Sequence, residues 1–206
     1  MTCFDKCVIA LMFLSALVGC HKQNARLGDP YETVAVDPRR DTDKARQLNA
    51  EAVEEITDGD LDDAEAKLKK ALTADLFFGP AHNNLGTVYL RQQKYYLAAW
   101  EFQYAVKLMP TQAEPRNNLG LVFEAVGRPD EAEKHYDEAL QLAPDAVEIT
   151  ANLARLRVRQ GRRDERTRHL LQDVVLKDTR PTWVNWARER LVITGPTDRA
   201  TTQPTE

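Results

Sequence analysis

A 34-residue period in the middle of this chain leaves few folds open. Asn84, Leu85, Gly86, Tyr89, Ala98, Phe102, Ala105 and Pro110 return 34 residues later as Asn118, Leu119, Gly120, Phe123, Ala132, Tyr136, Ala139 and Pro144. A repeat of that length holds two helices and a turn, and one such hairpin cannot bury its own apolar side without neighbours. The residue types state how the neighbours fit. Gly86 and Gly120 remove the side chain where the first helix meets the second, and Ala98 and Ala132 do so from the second helix. Ala105 and Ala139 admit the next hairpin, while Leu85, Tyr89 and Phe102, with Leu119, Phe123 and Tyr136, fill the gaps at helical spacing. Pro110 and Pro144 follow the second helices, which proline cannot continue.

The register extends outward into two weaker copies. Residues 45–78 place Ala52, Ala64, Leu68 and Ala71 at the small and apolar positions with Gly59 in the turn, but put Glu51 and Glu55 where Leu and Tyr stand later and Leu76 where proline stands. Residues 147–180 keep Asn152, Leu153, Ala154, Gly161 and Leu170, whereas Arg157, Arg166 and Asp173 fall at the aromatic and alanine positions. Terminal copies with one face in water tolerate such departures. Residues 181–193, with Trp183, Trp186 and Leu191, read as one more amphipathic helix covering the open end.

These residues resemble the tetratricopeptide repeat (TPR) family over roughly two thirds of the chain. The resemblance implies an all-α fold: a right-handed superhelical solenoid of four antiparallel helix hairpins (45–78, 79–112, 113–146 and 147–180) closed by a C-terminal capping helix.

Residues 8–18 form an apolar run of 11, too short for a membrane-spanning helix of about 20 residues and suited to the core of a signal peptide. It ends in Leu17-Val18-Gly19-Cys20, which resembles the bacterial lipoprotein box. The resemblance implies removal of residues 1–19 and a Cys20 carrying acyl chains such as palmitate, with His21 rather than Asp behind it, as in lipoproteins of the outer membrane facing the periplasm. The other readings are a chance apolar N-terminus or an uncleaved anchor. The remaining cysteines, Cys3 and Cys7, would leave with the signal segment, so the folded part would hold no disulfide and no cysteine metal site. Residues 20–44 read as the lipidated cysteine and a flexible tether, whose stretch 21–42 would average about 25 Å end to end and reach at most about 75 Å. Residues 194–206 read as a frayed tail.

The formal net charge of -4 argues against nucleic acid as a partner. The charge is unevenly spread: residues 45–78 hold 9 acidic and 4 basic side chains, and residues 147–180 hold 5 acidic and 9 basic. The plain reading is two solvated ends. The sharper one is an anion site in the Arg-rich fourth repeat, for anionic lipid, glycan or an acidic peptide, and self-association of acidic and basic ends would also follow.

In TPR proteins the first helix of each hairpin lines a concave groove that holds a protein or an extended peptide. Carried onto this chain, the groove positions are Asn83, Asn84, Thr87, Leu90 and Arg91, then Glu114, Asn117, Asn118, Leu121 and Glu124, then Asn152, Arg155, Val158 and Arg159. Amides suit a peptide backbone, which donates and accepts in turn. Asn at the fifth position of the first helix departs from the basic clamp some relatives use for a C-terminal carboxylate, so chaperone-tail binding is not expected. Catalysis is not expected either. His21, His82, His135 and His169 have no second ligand at metal spacing, no phosphate loop or nucleophile motif stands out, and no cofactor is implied. His82 falls at a packing position, and His135 and His169 are expected on the outer face. The resulting expectation is a lipid-anchored adaptor that assembles an envelope complex such as pilus, secretin or cell-wall machinery, with a peripheral anion binder as the alternative.

Overall fold

A computed structural model describes residues 40–194. Nine helices, and no strands, are present among the described residues. They are α1 (Thr42–Asp58), α2 (Leu61–Ala74), α3 (Gly79–Arg91), α4 (Tyr95–Leu108), α5 (Glu114–Ala125), α6 (Pro129–Leu142), α7 (Val147–Arg159), α8 (Glu165–Lys177) and α9 (Pro181–Thr194). Helices pair in sequence as four hairpins plus a last helix on α8, and the first helices of neighbouring hairpins also meet, α1 on α3, α3 on α5 and α5 on α7. The stretch 1–19 read as a signal segment, Cys20, the tether up to residue 39 and the tail from 195 onward lie outside the described residues.

The first helix starts earlier than the 45–78 boundary places it. Residues 42–44, read from sequence as tether, are helical. Asp41 accepts the Lys44 backbone N–H at 2.8 Å and caps α1. The buried Asp75 at the end of α2 then gathers Arg40 at 2.8 Å, the Thr42 hydroxyl at 2.8 Å and the Phe77 N–H at 3.0 Å. Burial alone would push the Asp75 carboxyl up; these donors outweigh it and hold the group below its usual range.

The glycines act as the period required. A Cβ on Gly86 would stand 2.6 Å from the Phe102 ring, and one on Gly120 would stand 2.5 Å from the Tyr136 ring. Both rings are fully buried, so neither can swing aside. The hairpin turns place residues 59, 93, 127 and 161 in left-handed backbone; three of them are glycine, but the second is Gln93 at φ 61°.

The fourth hairpin departs from the 34-residue register in its second helix. In α2, α4 and α6 the recurring buried positions are Ala64, Leu68 and Ala71; Ala98, Phe102 and Ala105; and Ala132, Tyr136 and Ala139. In α8 they are Thr167, Leu171 and Val174, each one residue later than the period predicts. The turn before α8 is longer, and Asp164 caps it by accepting the Thr167 N–H at 2.9 Å. That bond, with the Arg157 guanidinium, holds the Asp164 carboxyl at about 2. Arg166 therefore does not occupy an alanine position but points outward to Asp137. Arg157 does sit at the aromatic position, and it is buried there.

The array is consequently held in two ways. From α1 through α5 one continuous apolar cluster runs around Leu68, Leu85, Val88, Tyr89, Phe102 and Leu119. Between the third and fourth hairpins a smaller apolar cluster about Tyr136 and Leu153 is supplemented by buried charge. Arg157 binds Glu133, donates to Asp164 at 2.7 Å and to the Thr167 hydroxyl at 3.0 Å. Arg162 reaches the same Glu133 at 2.6 Å. At the far end Trp183, Trp186 and Leu191 of α9 pack on Ala151, Ala154, Leu171 and Val174, the covering role read from their spacing.

Candidate partner-binding groove

The first helices meet along one side of the stack, and their asparagines tie the hairpins together. Asn84 donates to Asn49 at 2.8 Å, Asn118 donates to Asn83 at 3.1 Å, and Asn152 donates to Asn117 at 3.0 Å. The pairs are each 35 residues apart, so a doublet such as Asn83-Asn84 serves both neighbours: one amide donates backward and the other accepts from ahead. Asn83 is buried and also donates to Glu114 at 2.9 Å. Asn117 is half-buried, spans the adjacent Asn118 at 3.4 Å, and keeps one edge toward solvent.

The other groove positions divide by what they touch. Thr87 donates back to the Asn83 carbonyl at 3.0 Å, within its own helix. Arg91 is exposed and donates to the Ile56 carbonyl across the hairpin boundary. Leu90, Leu121 and Val158 are half-buried, each packed on an apolar cluster with part of its surface open. Glu124 collects Arg155 at 3.1 Å, Arg159 at 2.8 Å and the Tyr136 hydroxyl at 2.9 Å. Burial, with the Glu124 carboxylate beside it, pushes the Tyr136 hydroxyl far up, so it stays a donor.

Two openings lie along this side. The larger, about 470 Å³, sits between the starts of α5 and α7, lined by Glu114, Asn117, Leu142, Val147, Glu148 and Ile149 among others. The other, about 260 Å³, lies where Arg155 meets Thr182, Trp183 and Trp186, with the Arg155 guanidinium 5.5 Å from the Trp183 ring centre. The first of these was not foreseen as a unit, because Leu142 and Val147 belong to a helix end and to the following helix start.

The arginine-rich stretch is largely occupied. Arg155 and Arg159 lie on Glu124, Arg157 on Glu133 and Asp164, Arg162 on Glu133 and Asp130, and Arg166 on Glu133 and Asp137. Five of the seven arginines between 155 and 168 therefore have carboxylate partners. These pairs cancel much of the excess charge an anion site there would use.

Among the described residues, His82 and His135 serve packing. His82 is buried, with Nδ1 at 2.6 Å from Glu101, Nε2 at 2.9 Å from the Leu76 carbonyl and its ring stacked on Tyr104. Burial disfavours its charged form, but the two acceptors prevail and its pKa lies above the ordinary value. His135 is not on the outer face: it stacks on Phe123 at 5.1 Å, and burial lowers its pKa. His169 is exposed, as expected. No group of three His, Cys, Asp or Glu side chains suited to a metal occurs among the described residues.

Known proteins agree on the fold. Residues 49–113 and residues 113–146 each match a family profile described as tetratricopeptide repeat. Both matched stretches end before α7. No curated protein sequence matches the chain. Among solved structures, Pseudomonas aeruginosa pilF is similar at 21% identity and a TM-score of 0.62, over 77% of this chain and 75% of that one. The first TPR of Spaghetti, bound to the HSP90 peptide SRMEEVD, is similar at 24% identity and a TM-score of 0.58, over 61% of this chain and 99% of that one. The Yersinia enterocolitica type III secretion chaperone SycD, in complex with a peptide of the translocator YopD, is similar at 16% identity and a TM-score of 0.53, over 58% and 97%. At these identities the likeness establishes a helical-hairpin solenoid.

Proposed function

We propose that this run of tetratricopeptide repeats is a non-enzymatic adaptor, anchored to a membrane through Cys20, that holds an extended segment of a protein partner against its first helices. The observation that carries this reading is the opening between α5 and α7. It is large enough for a side chain of an extended peptide and offers amide, carboxylate and apolar surface together. Two bound neighbours, Spaghetti with its HSP90 peptide and SycD with its YopD peptide, support a peptide as the ligand. The carboxylates of Glu114 and Glu148 favour a lysine or arginine in the segment that enters. Leu90 and Leu121 supply apolar contacts further along.

The lipid anchor rests on the apolar run 8–18 followed by Leu17-Val18-Gly19-Cys20. An assembly role in a bacterial envelope is the reading that such an anchor favours. The test is crosslinking capture from the native host, comparing the native chain with a Glu114→Lys/Glu148→Lys variant and with Lys134→Glu on an outer helix. A partner retained by Lys134→Glu and lost with the double reversal supports the groove. Equal capture by all three refutes it. Mass measurement of the Cys20 peptide tests the anchor separately, and an unmodified Cys20 ends that part of the reading.

A further inference from the structure

The outer helices of the four hairpins supply their own controls, and α4 stands apart from the rest. At one register position α2, α6 and the shifted α8 carry Asp62, Asp130 and Glu165; α4 carries Tyr96. At the next they carry Asp63, Glu131 and Arg166 against Leu97. Trp100 replaces Ala66, Lys134 and His169, and Tyr104 replaces Lys70, Glu138 and Asp173. The fold therefore does not require large apolar residues there. Yet Tyr96, Trp100 and Tyr104 are 80%, 51% and 38% exposed. Their spacing of four residues lines them along one side of the helix, and the Trp100 and Tyr104 rings lie 5.6 Å apart. The stripe continues through His82, stacked on Tyr104 and bonded to the Leu76 carbonyl, toward the exposed Leu76 and Phe77. At about 150–250 Å² per fully buried aromatic side chain, the exposed parts sum to several hundred Å², enough to mark an interaction surface.

We propose that this face rests in the lipid–water interface of the membrane to which the chain is tethered, an inference that depends on the anchor assigned above. Three observations select a bilayer over a second copy. Tyr and Trp join an apolar body to a polar tip, the chemistry that concentrates these residues at membrane interfaces. The N-terminal segment that leads to Cys20 joins the array at Arg40, whose guanidinium lies 5.7 Å from the Phe77 ring centre, so the chain that would carry the anchor leaves from the same edge. The cation beside the stripe is Lys107, over Tyr104 at 5.3 Å, while the one carboxylate of α4, Glu101, is turned inward on His82. That balance suits phosphate headgroups and gives two facing copies of α4 no opposite charge to pair. Resting on α4, the array would leave its first helices, on the far side of each hairpin, open to a partner.

The experiment uses the full chain carrying Trp183→Phe and Trp186→Phe, which leaves Trp100 as the sole tryptophan, reconstituted in vesicles of phosphatidylcholine and phosphatidylglycerol at about three to one, chosen to give the anionic surface that attracts basic residues. Flotation reports tethering. Brominated lipid reports contact of Trp100 with the interface. The expected result is a blue-shifted emission quenched about twofold or more by brominated lipid, with that quenching lost in Tyr96→Ser/Tyr104→Ser while flotation persists. The proposal is overturned if the tethered chain floats but Trp100 answers to aqueous iodide and not to brominated lipid. It is equally overturned if sedimentation without vesicles shows dimers that the same two substitutions abolish. A Cys20→Ser chain, still held by its apolar run 8–18, separates the two claims: loss of acylation without loss of quenching removes the lipid anchor and leaves the docking face standing.

Discussion

Removing the charge of Glu133 should loosen the C-terminal end of the array, because this carboxylate is buried on α6 and holds Arg157 and Arg162. Arg157 is 4% exposed and occupies the place of an aromatic ring. Its guanidinium binds Glu133, and the remaining acceptors are Asp164, half in solvent, and the Thr167 hydroxyl. Taking one partner from a buried ion pair costs about 3–5 kcal/mol, because the other charge is left in a poor environment. Here Asp164 still offsets part of that, so Glu133→Gln is expected near the lower bound, about 3 kcal/mol. Arg157→Met/Glu133→Met removes both charges and fills the space with apolar atoms, and should lie within about 1 kcal/mol of the native chain. A solenoid need not unfold as one unit. The assay is therefore hydrogen exchange under mild urea, comparing α7–α9 with α1–α4. Protection should fall in α7–α9 for Glu133→Gln and recover in the double variant. A loss below about 1 kcal/mol, or a double variant worse than the single, would show that the pair is not the joint between the third and fourth hairpins.

Gly86→Ala and Gly120→Ala gain about 1 kcal/mol in helix propensity but force Phe102 and Tyr136 to move, so each should destabilise by about 1–2 kcal/mol net in thermal melts. Gln93→Gly should instead stabilise by about 0.5–1 kcal/mol, since that residue holds a left-handed backbone where the other turns use glycine. His82 has a raised folded pKa, so its contribution is full below its unfolded value near about 6.5 and is lost as pH rises through the folded value. The stability gap between the native chain and His82→Phe should accordingly favour histidine more at about pH 5.5 than at about pH 8.5, by urea denaturation. His135, whose folded pKa is depressed, runs the other way: its contribution is present above about 6.5 and lost as pH falls through the folded value, so His135→Phe should show the opposite trend.

The hairpins and the last helix were legible because small residues at close approaches recur with the period of the fold. Gly86 under Phe102 and Gly120 under Tyr136 are such positions. The shift in α8 escaped the 34-residue comparison because it is a one-residue lengthening of a turn. Thr167, Leu171 and Val174 keep the spacing of Ala132, Tyr136 and Ala139, so comparing second helices alone would have found it. The start of α1 escaped because the Asp75 cluster joins residues from opposite ends of a hairpin. The groove was legible as a face, but the duty of its asparagines was not. Asn83 and Asn117 read as contacts for a partner, whereas their amides first complete bonds between hairpins. The arginines likewise read as a basic surface, because, apart from Asp164 beside Arg157, the carboxylates that meet them lie 24 to 35 residues away, beyond what local spacing reveals.

The asparagine ladder also acts as a ruler. Each amide bond holds one first helix to the next, at a helix spacing of about 9 Å. An extended chain advances about 3.3 Å per residue, so it crosses one hairpin in about three residues. A segment threaded along this side would be read at every third side chain, and its intervening residues would be free to vary. On the adaptor reading proposed above, the rungs would set a triplet rhythm for the bound segment, with a basic residue at the beat that meets Glu114 and Glu148.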